Sequence, residues 1–322
     1  MSNKQVLILV HGMITSPDPS DQRSLYQGFL DGLDRAEPRL AGALDPRIFV
    51  EWGHQNPSSP NLRDDELLTG AQAFLAQLVD YRRLRNQFHP NNKLISDWSF
   101  LFPVRGVLNS IRESLVLHGL GDAIYYCSTD GEAAVRRAVY GQVLAETRPL
   151  EGDNVYFHVI SHSLGATVAF DFLYGLFAPS SNWRDRRLDF ADDPDYGDEY
   201  MRWRGKRENG SLHLGSMASM ASTLPILLLR SQTVVDRFYH QQKLDPQVVG
   251  VDPAAGVRWK SFYDIDDVLA FPNREIFSPN AGIVDVQVDT GDRPDTAHTN
   301  YWGESRVIRE VASLLLSTVP HA

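Results

Sequence analysis

The sequence predicts an α/β protein built on a mostly parallel, doubly wound sheet flanked by helices. Three observations carry this. Strand-like apolar runs alternate with helix-compatible stretches along the chain, an order that argues for parallel strands joined by helical crossovers. The first run, Val6-Leu7-Ile8-Leu9-Val10, is apolar at every position, as in a strand buried on both faces. Val155-Tyr156-Phe157-His158-Val159-Ile160 leads through Ser161-His162-Ser163-Leu164-Gly165 into the helix-compatible stretch Ala166 to Phe177.

In chain order, a strand over 5–10 is followed by a helix over about 21–36 and a strand from Arg47 to Trp52. A largely helical block occupies 61–149. Within it, Gly70 to Arg85 carries Phe74, Leu75, Leu78, Val79 and Leu84 at amphipathic spacing, and Leu94 to Leu117 is rich in aromatic and aliphatic residues. The block reads either as helices packed on the sheet flank or as a lid over an apolar pocket. It ends in a helix over 132–147. A strand over 155–160 and a helix over 163–177 follow. The polar stretch 178–210, with Trp183 and Trp203 among many charges, reads as a solvated surface excursion, a cap or a protein-docking loop. A strand over 211–215 precedes helix or loop over 216–245. Two further strands, 257–263 and 283–288, and a closing helix over 304–317 complete the chain. All of it is expected to form one domain, 1–322, with 61–149 and 178–210 as insertions.

The turn at 161–165 has a definite steric logic. Strand, sharp turn and helix in immediate succession crowd the residues two before and two after Ser163, so those positions need small side chains. Gly165 and Ser161 are small. The turn lifts the Ser163 hydroxyl above the sheet edge and aims the Leu164 N–H at the same space. Elsewhere, Val6–Val10 ends in His11-Gly12-Met13. The strand Trp259-Lys260-Ser261-Phe262-Tyr263 ends in Asp264-Ile265-Asp266-Asp267, and His298 follows the last strand in Ala297-His298-Thr299-Asn300-Tyr301-Trp302.

On these residues the chain resembles the α/β-hydrolase superfamily, and within it lipase-like and esterase-like serine hydrolases. The resemblance spans most of the chain, but its motifs specify only about a dozen residues. Ser161 stands where the usual turn has its first glycine. The resemblance implies a Ser…Asp…His triad in that chain order, with Ser163 as nucleophile, His298 as general base and a carboxylate orienting it. Asp267 is favoured for the acid because Val268-Leu269-Ala270 follows it; Asp266 and Asp264 remain alternatives. The N–H groups of Met13 and Leu164 would form the oxyanion hole, with Gly12 shaping the turn after the first strand. His162 is expected to support the elbow and His158 to pack or hydrogen-bond in the core. The implied reaction is cleavage of a carboxylic ester with no cofactor. A thioesterase or amidase using the same triad, and a non-catalytic binding module that keeps the fold, are the alternatives.

Composition bounds the partners. A formal net charge of -10 and a pI of about 5.4 oppose nucleic acid or anionic lipid as a general electrostatic partner. The single cysteine, Cys127, excludes an internal disulfide. It fits a reducing, cytoplasmic compartment and reads as a buried thiol. No His-x-x-x-His or Cys-x-x-Cys spacing suggests a metal, no glycine-rich phosphate loop suggests a nucleotide, and Leu224 to Leu229 is too short to span a bilayer.

Overall fold

Residues 2–12, 19–52, 126–127, 129–179, 190–230, 232–279, 281–292 and 294–319 are described by the computed structural model of the chain. By contacts the chain divides into two compact units, 1–52 with 135–322, and 53–134. The first holds the sheet. The apolar stretches within 70–117 that raised the question of a lid, and Met13, lie outside the described residues.

Among the described residues the sheet has six strands: β1 (Asn3–Val10), β2 (Arg47–Val50), β3 (Asn154–His162), β4 (Leu212–Met220), β5 (Trp259–Tyr263) and β6 (Ile283–Gln287), in the order β2-β1-β3-β4-β5-β6. Every pairing is parallel. The long strands are central and bury nearly every residue; the edge strands β2 and β6 are short and alternate or expose part of their length. The described helices are α1 (Pro19–Ala36), α2 (Arg39–Ala43), α3 (Thr129–Thr147), α4 (Leu164–Phe177), α5 (Gly197–Glu208), α6 (Leu224–Leu227), α7 (Gln232–Tyr239), α8 (Pro294–Thr299) and α9 (Ser305–Thr318).

The chain steps from β1 outward to β2, then returns to the other side of β1 for β3. Right-handed crossovers in opposite directions place helices on opposite faces. On one face, Leu7, Leu9, Ile160, Met220 and Phe262 pack with α1 and α9 through Tyr26, Phe29, Val307, Val311 and Leu314. Val307, Val311 and Leu314 recur at the spacing of one helical stripe, and the Glu304 carboxylate accepts from the Arg306 N–H to cap that helix. On the other face, Phe157 meets Phe172 of α4 and Trp203 of α5. Every residue of α4 except Tyr174 is buried, which explains its apolar character all round.

Three expectations change. The strand expected over 211–215 runs on to Met220, because Gly215-Ser216-Met217-Ala218-Ser219 continues between β3 and β5. Small residues carry little strand signal, yet a Cβ on Gly215 would lie 2.4 Å from the His158 ring. The described part of 178–210 is no solvated excursion: Tyr200 and Trp203 are fully buried, and the Tyr200 hydroxyl donates to the Gly175 carbonyl at the end of α4 at 2.8 Å. The apolar spacing in α5 was hidden by charges on both of its sides, since Glu199, Arg204 and Lys206 are buried with Tyr200 and Trp203. Cys127 is exposed rather than buried.

His158 lies fully buried between Ser216 Oγ and Gln5 Oε1, each at 2.8 Å from a ring nitrogen. Burial, helped by Arg258, lowers its pKa from 6.5 to about 3. The unfolded chain therefore binds a proton below about pH 6.5 that the folded chain refuses. Stability present at neutral pH is lost as the pH falls through that window. At pH 5 this group alone costs about 2 kcal/mol. In His158→Gln, the difference in urea-unfolding free energy between pH 7 and pH 5 should shrink by about that amount. An unchanged difference would show that His158 does not govern acid sensitivity.

Candidate active site

The direction in which the chain winds across the sheet reverses between β1 and β3, and parallel α/β sheets bind ligands in the crevice that such a switch point opens at the carboxyl ends of the strands. His11-Gly12 follows β1, and Ser163 caps α4 directly after β3. Ser163 has φ 54° and ψ -127°, a conformation that costs a non-glycine residue about 1–3 kcal/mol. Its main chain is held on both sides: its N–H donates to Met220 O at 2.8 Å, and its carbonyl accepts from the Ala166 N–H at 3.0 Å.

Both neighbouring glycines are demanded by contact. A Cβ on Gly165 would lie 2.1 Å from His11 O and 2.6 Å from Val10 O. One on Gly12 would lie 2.6 Å from Ser163 Cβ. The first turn of α4 thus presses on the main chain at the end of β1. Ser161, fully buried, donates to Ala218 O at 3.4 Å. The turn after β1 is fixed by His11, stacked on Trp52 with ring centres 5.3 Å apart. The Trp52 indole N–H donates to His11 O at 3.0 Å.

Ser163, His298 and Asp267 form a hydrogen-bonded chain. His298 Nε2 lies 2.8 Å from Ser163 Oγ, and His298 Nδ1 lies 2.9 Å from both oxygens of Asp267. An ionised carboxylate only accepts, so Nδ1 carries the proton and donates while Nε2 accepts from the Ser163 hydroxyl. All three residues are buried, Ser163 to within 1%. His298 sits in the last turn of α8.

Among the acids, only Asp267 reaches His298. The Asp264 carboxylate turns the other way: Oδ2 accepts from the Thr290 N–H and hydroxyl at 2.5 and 2.8 Å, and Oδ1 from the Asp266 N–H at 2.9 Å. Burial raises the Asp264 pKa, but these donors outweigh it and hold it below its usual range. Asp266 is exposed. Asp267 also accepts from the Leu269 N–H at 3.0 Å and from the Tyr301 hydroxyl at 3.2 Å. That hydroxyl in turn accepts from the Asp264 N–H at 2.7 Å. Burial and the Asp267 charge push the Tyr301 pKa upward, keeping it a neutral donor. Sequence reasoning assigned Tyr301 no role. Its position three residues beyond His298 was the available signal.

Leu164 is the first residue of α4, and the first N–H groups of a helix have no partner within it. The Leu164 N–H is therefore available to an anion beside Ser163. A cleft of about 380 Å³, lined by Tyr156, His213, Arg207 and Arg258 among others, opens at the opposite ends of the strands. Among the described residues, no group of three or more His, Cys, Asp or Glu side chains is placed to hold a metal ion. No helix among them is long and apolar enough to cross a membrane.

No protein-family model matches this sequence, and neither a curated protein nor a solved structure matches it.

Glycine to alanine within a helix normally stabilises by about 0.5–1 kcal/mol. Gly165→Ala should instead destabilise by about 1–3 kcal/mol through overpacking. Gly205→Ala, in α5 with nothing within 4 Å of the added Cβ, should follow the ordinary rule. Urea unfolding of both checks this; a stabilised Gly165→Ala would mean that α4 does not bear on β1.

Proposed function

We propose that this protein is a serine hydrolase of the α/β-hydrolase fold that cleaves a carboxylic ester through an acyl-serine intermediate. The observation that carries the reading is the chain Asp267–His298–Ser163, with the serine on a strained turn at a helix N-terminus. The all-parallel sheet, the His-Gly turn after β1 and the order Ser163, Asp267, His298 support it.

In the proposed reaction His298 Nε2 takes the hydroxyl proton as Ser163 Oγ attacks the acyl carbonyl. The new O–C bond gives a tetrahedral oxyanion, which the Leu164 N–H and, by resemblance, the Met13 N–H would stabilise. Asp267 stabilises the imidazolium and keeps the ring in the tautomer that leaves Nε2 free. The oxyanion collapses, the alcohol leaves with the proton from His298, and an acyl-serine remains. Water, deprotonated by His298, then attacks the acyl carbon; the second tetrahedral intermediate collapses with cleavage of the Oγ–acyl bond, His298 returns the proton to Ser163 Oγ, and the acid leaves. No cofactor takes part. The triad serves esters, thioesters and amides alike, and an acyl ester is preferred by the lipase-like resemblance. Together with the single cysteine, a cytoplasmic setting completes the proposal.

Hydrolysis of nitrophenyl esters of graded acyl length tests this. The wild type should turn over at least one of them. Ser163→Ala should fall to the buffer rate, and Asp267→Asn should lose about 10⁴-fold in kcat. Equal turnover by wild type and Ser163→Ala would remove Ser163 as nucleophile. A folded wild type inert to esters, thioesters and amides alike would favour a binding module.

A further inference from the structure

His162 directly precedes the proposed nucleophile, and the reaction above gives it no part. Its ring is buried at the end of β3 and faces α8. The Nε2–H donates to the main-chain carbonyl of His298 at 2.7 Å. The two imidazole centres are 5.2 Å apart, and the rings of Tyr301 and Trp302 close the other sides at 6.0 and 5.8 Å. Behind it, a Cβ on Gly12 would lie 3.2 Å from Nδ1. The side chain is thus confined between the β1 turn and α8 with its one donor aimed at the base residue.

We infer that His162 is a positioning residue that holds the main chain of His298 in place while Ser163 engages its ring. The inference rests on the hydrolase reading. Two consecutive residues of one strand end grip His298 at two points, Ser163 Oγ at Nε2 and His162 at the carbonyl. With Asp267 on Nδ1, the base is tied at three places belonging to two strand ends. A histidine held only by its side chain could swing away once protonated, because the imidazolium no longer accepts from Ser163. The His162 bond does not depend on the charge of the His298 ring and persists through the proton transfer.

The donor must also be uncharged. Burial above all, and then His298, lower the His162 pKa from 6.5 to about 3; His11 acts in the same direction, while Asp267 and the bond to the His298 carbonyl act against it. His162 therefore supplies an N–H without placing a second positive charge beside the imidazolium. A lysine or arginine could reach the carbonyl only by opposing protonation of the base.

His162→Gln keeps an amide N–H near the position of Nε2, and His162→Leu removes it. Steady-state kinetics on an ester turned over by the wild type should show kcat reduced about 10- to 100-fold in His162→Leu, with KM within about twofold. His162→Gln should recover most of the loss although the two variants melt at similar temperatures. A second readout needs no substrate: the downfield proton resonance of His298 Nδ1–H, bonded to Asp267, should broaden through exchange in His162→Leu and stay sharp in His162→Gln. His162→Leu with near wild-type kcat and an unchanged resonance would overturn the inference, as would equal impairment of both variants in step with their melting temperatures. A wild type that hydrolyses nothing defeats the hydrolase reading; the resonance still decides whether His162 orders His298.

Discussion

The contact between the end of β1 and the first turn of α4 governs the geometry of this protein. Gly165 brings the helix against the carbonyls of Val10 and His11, and Gly12 brings the returning chain against Ser163. Because β1 and β3 are adjacent and parallel, both turns emerge at the same edge of the sheet. The strain at Ser163 survives because hydrogen bonds to Met220 and Ala166 fix its main chain. A rigid turn holds Oγ still, which the role proposed for Ser163 requires. Burial of α4 on all sides keeps that turn from relaxing.

A second constraint is the management of charge around Asp267. Three acids follow β5 within four residues, yet they do different work. Asp264 ties the β5 turn to Thr290, Asp266 faces solvent, and Asp267 turns inward to His298. Tyr301 links the first to the third by accepting from the Asp264 N–H and donating to Asp267. A buried carboxylate with donors from His298, Leu269 and Tyr301 has its lone pairs satisfied, and the low surrounding polarity strengthens each bond. Losing the Tyr301 hydroxyl would leave both Asp267 and a buried N–H short of a partner.

Much of this was legible in the sequence because the determining signals are local. The apolar run of β1, the small residues around Ser163 and the acids after β5 each announce themselves within a few positions. Position along the chain could not choose among Asp264, Asp266 and Asp267, since the choice is made by Thr290, Tyr301 and His298 from later elements. The extent of β4 was illegible for a related reason: Gly215 and Ser216 are set by the His158 ring on the adjoining strand. The packing role of α5 was masked by charge, because charged residues sit on its buried side as well: Arg204 lies beside Tyr200 and Trp203 and donates to the carbonyls of Gly175 and Ala178 at the end of α4. His162 showed its place in the turn but not its bond to a carbonyl 136 residues away.

The proposed hydrolysis requires Ser163 to be an activated nucleophile. Intact-mass spectrometry after treatment with a fluorophosphonate tests it most directly, because that reagent needs an activated serine and no knowledge of the substrate. One covalent adduct is expected on the wild type and none on Ser163→Ala. A folded wild type that stays unmodified, or an adduct that persists in Ser163→Ala, would contradict it.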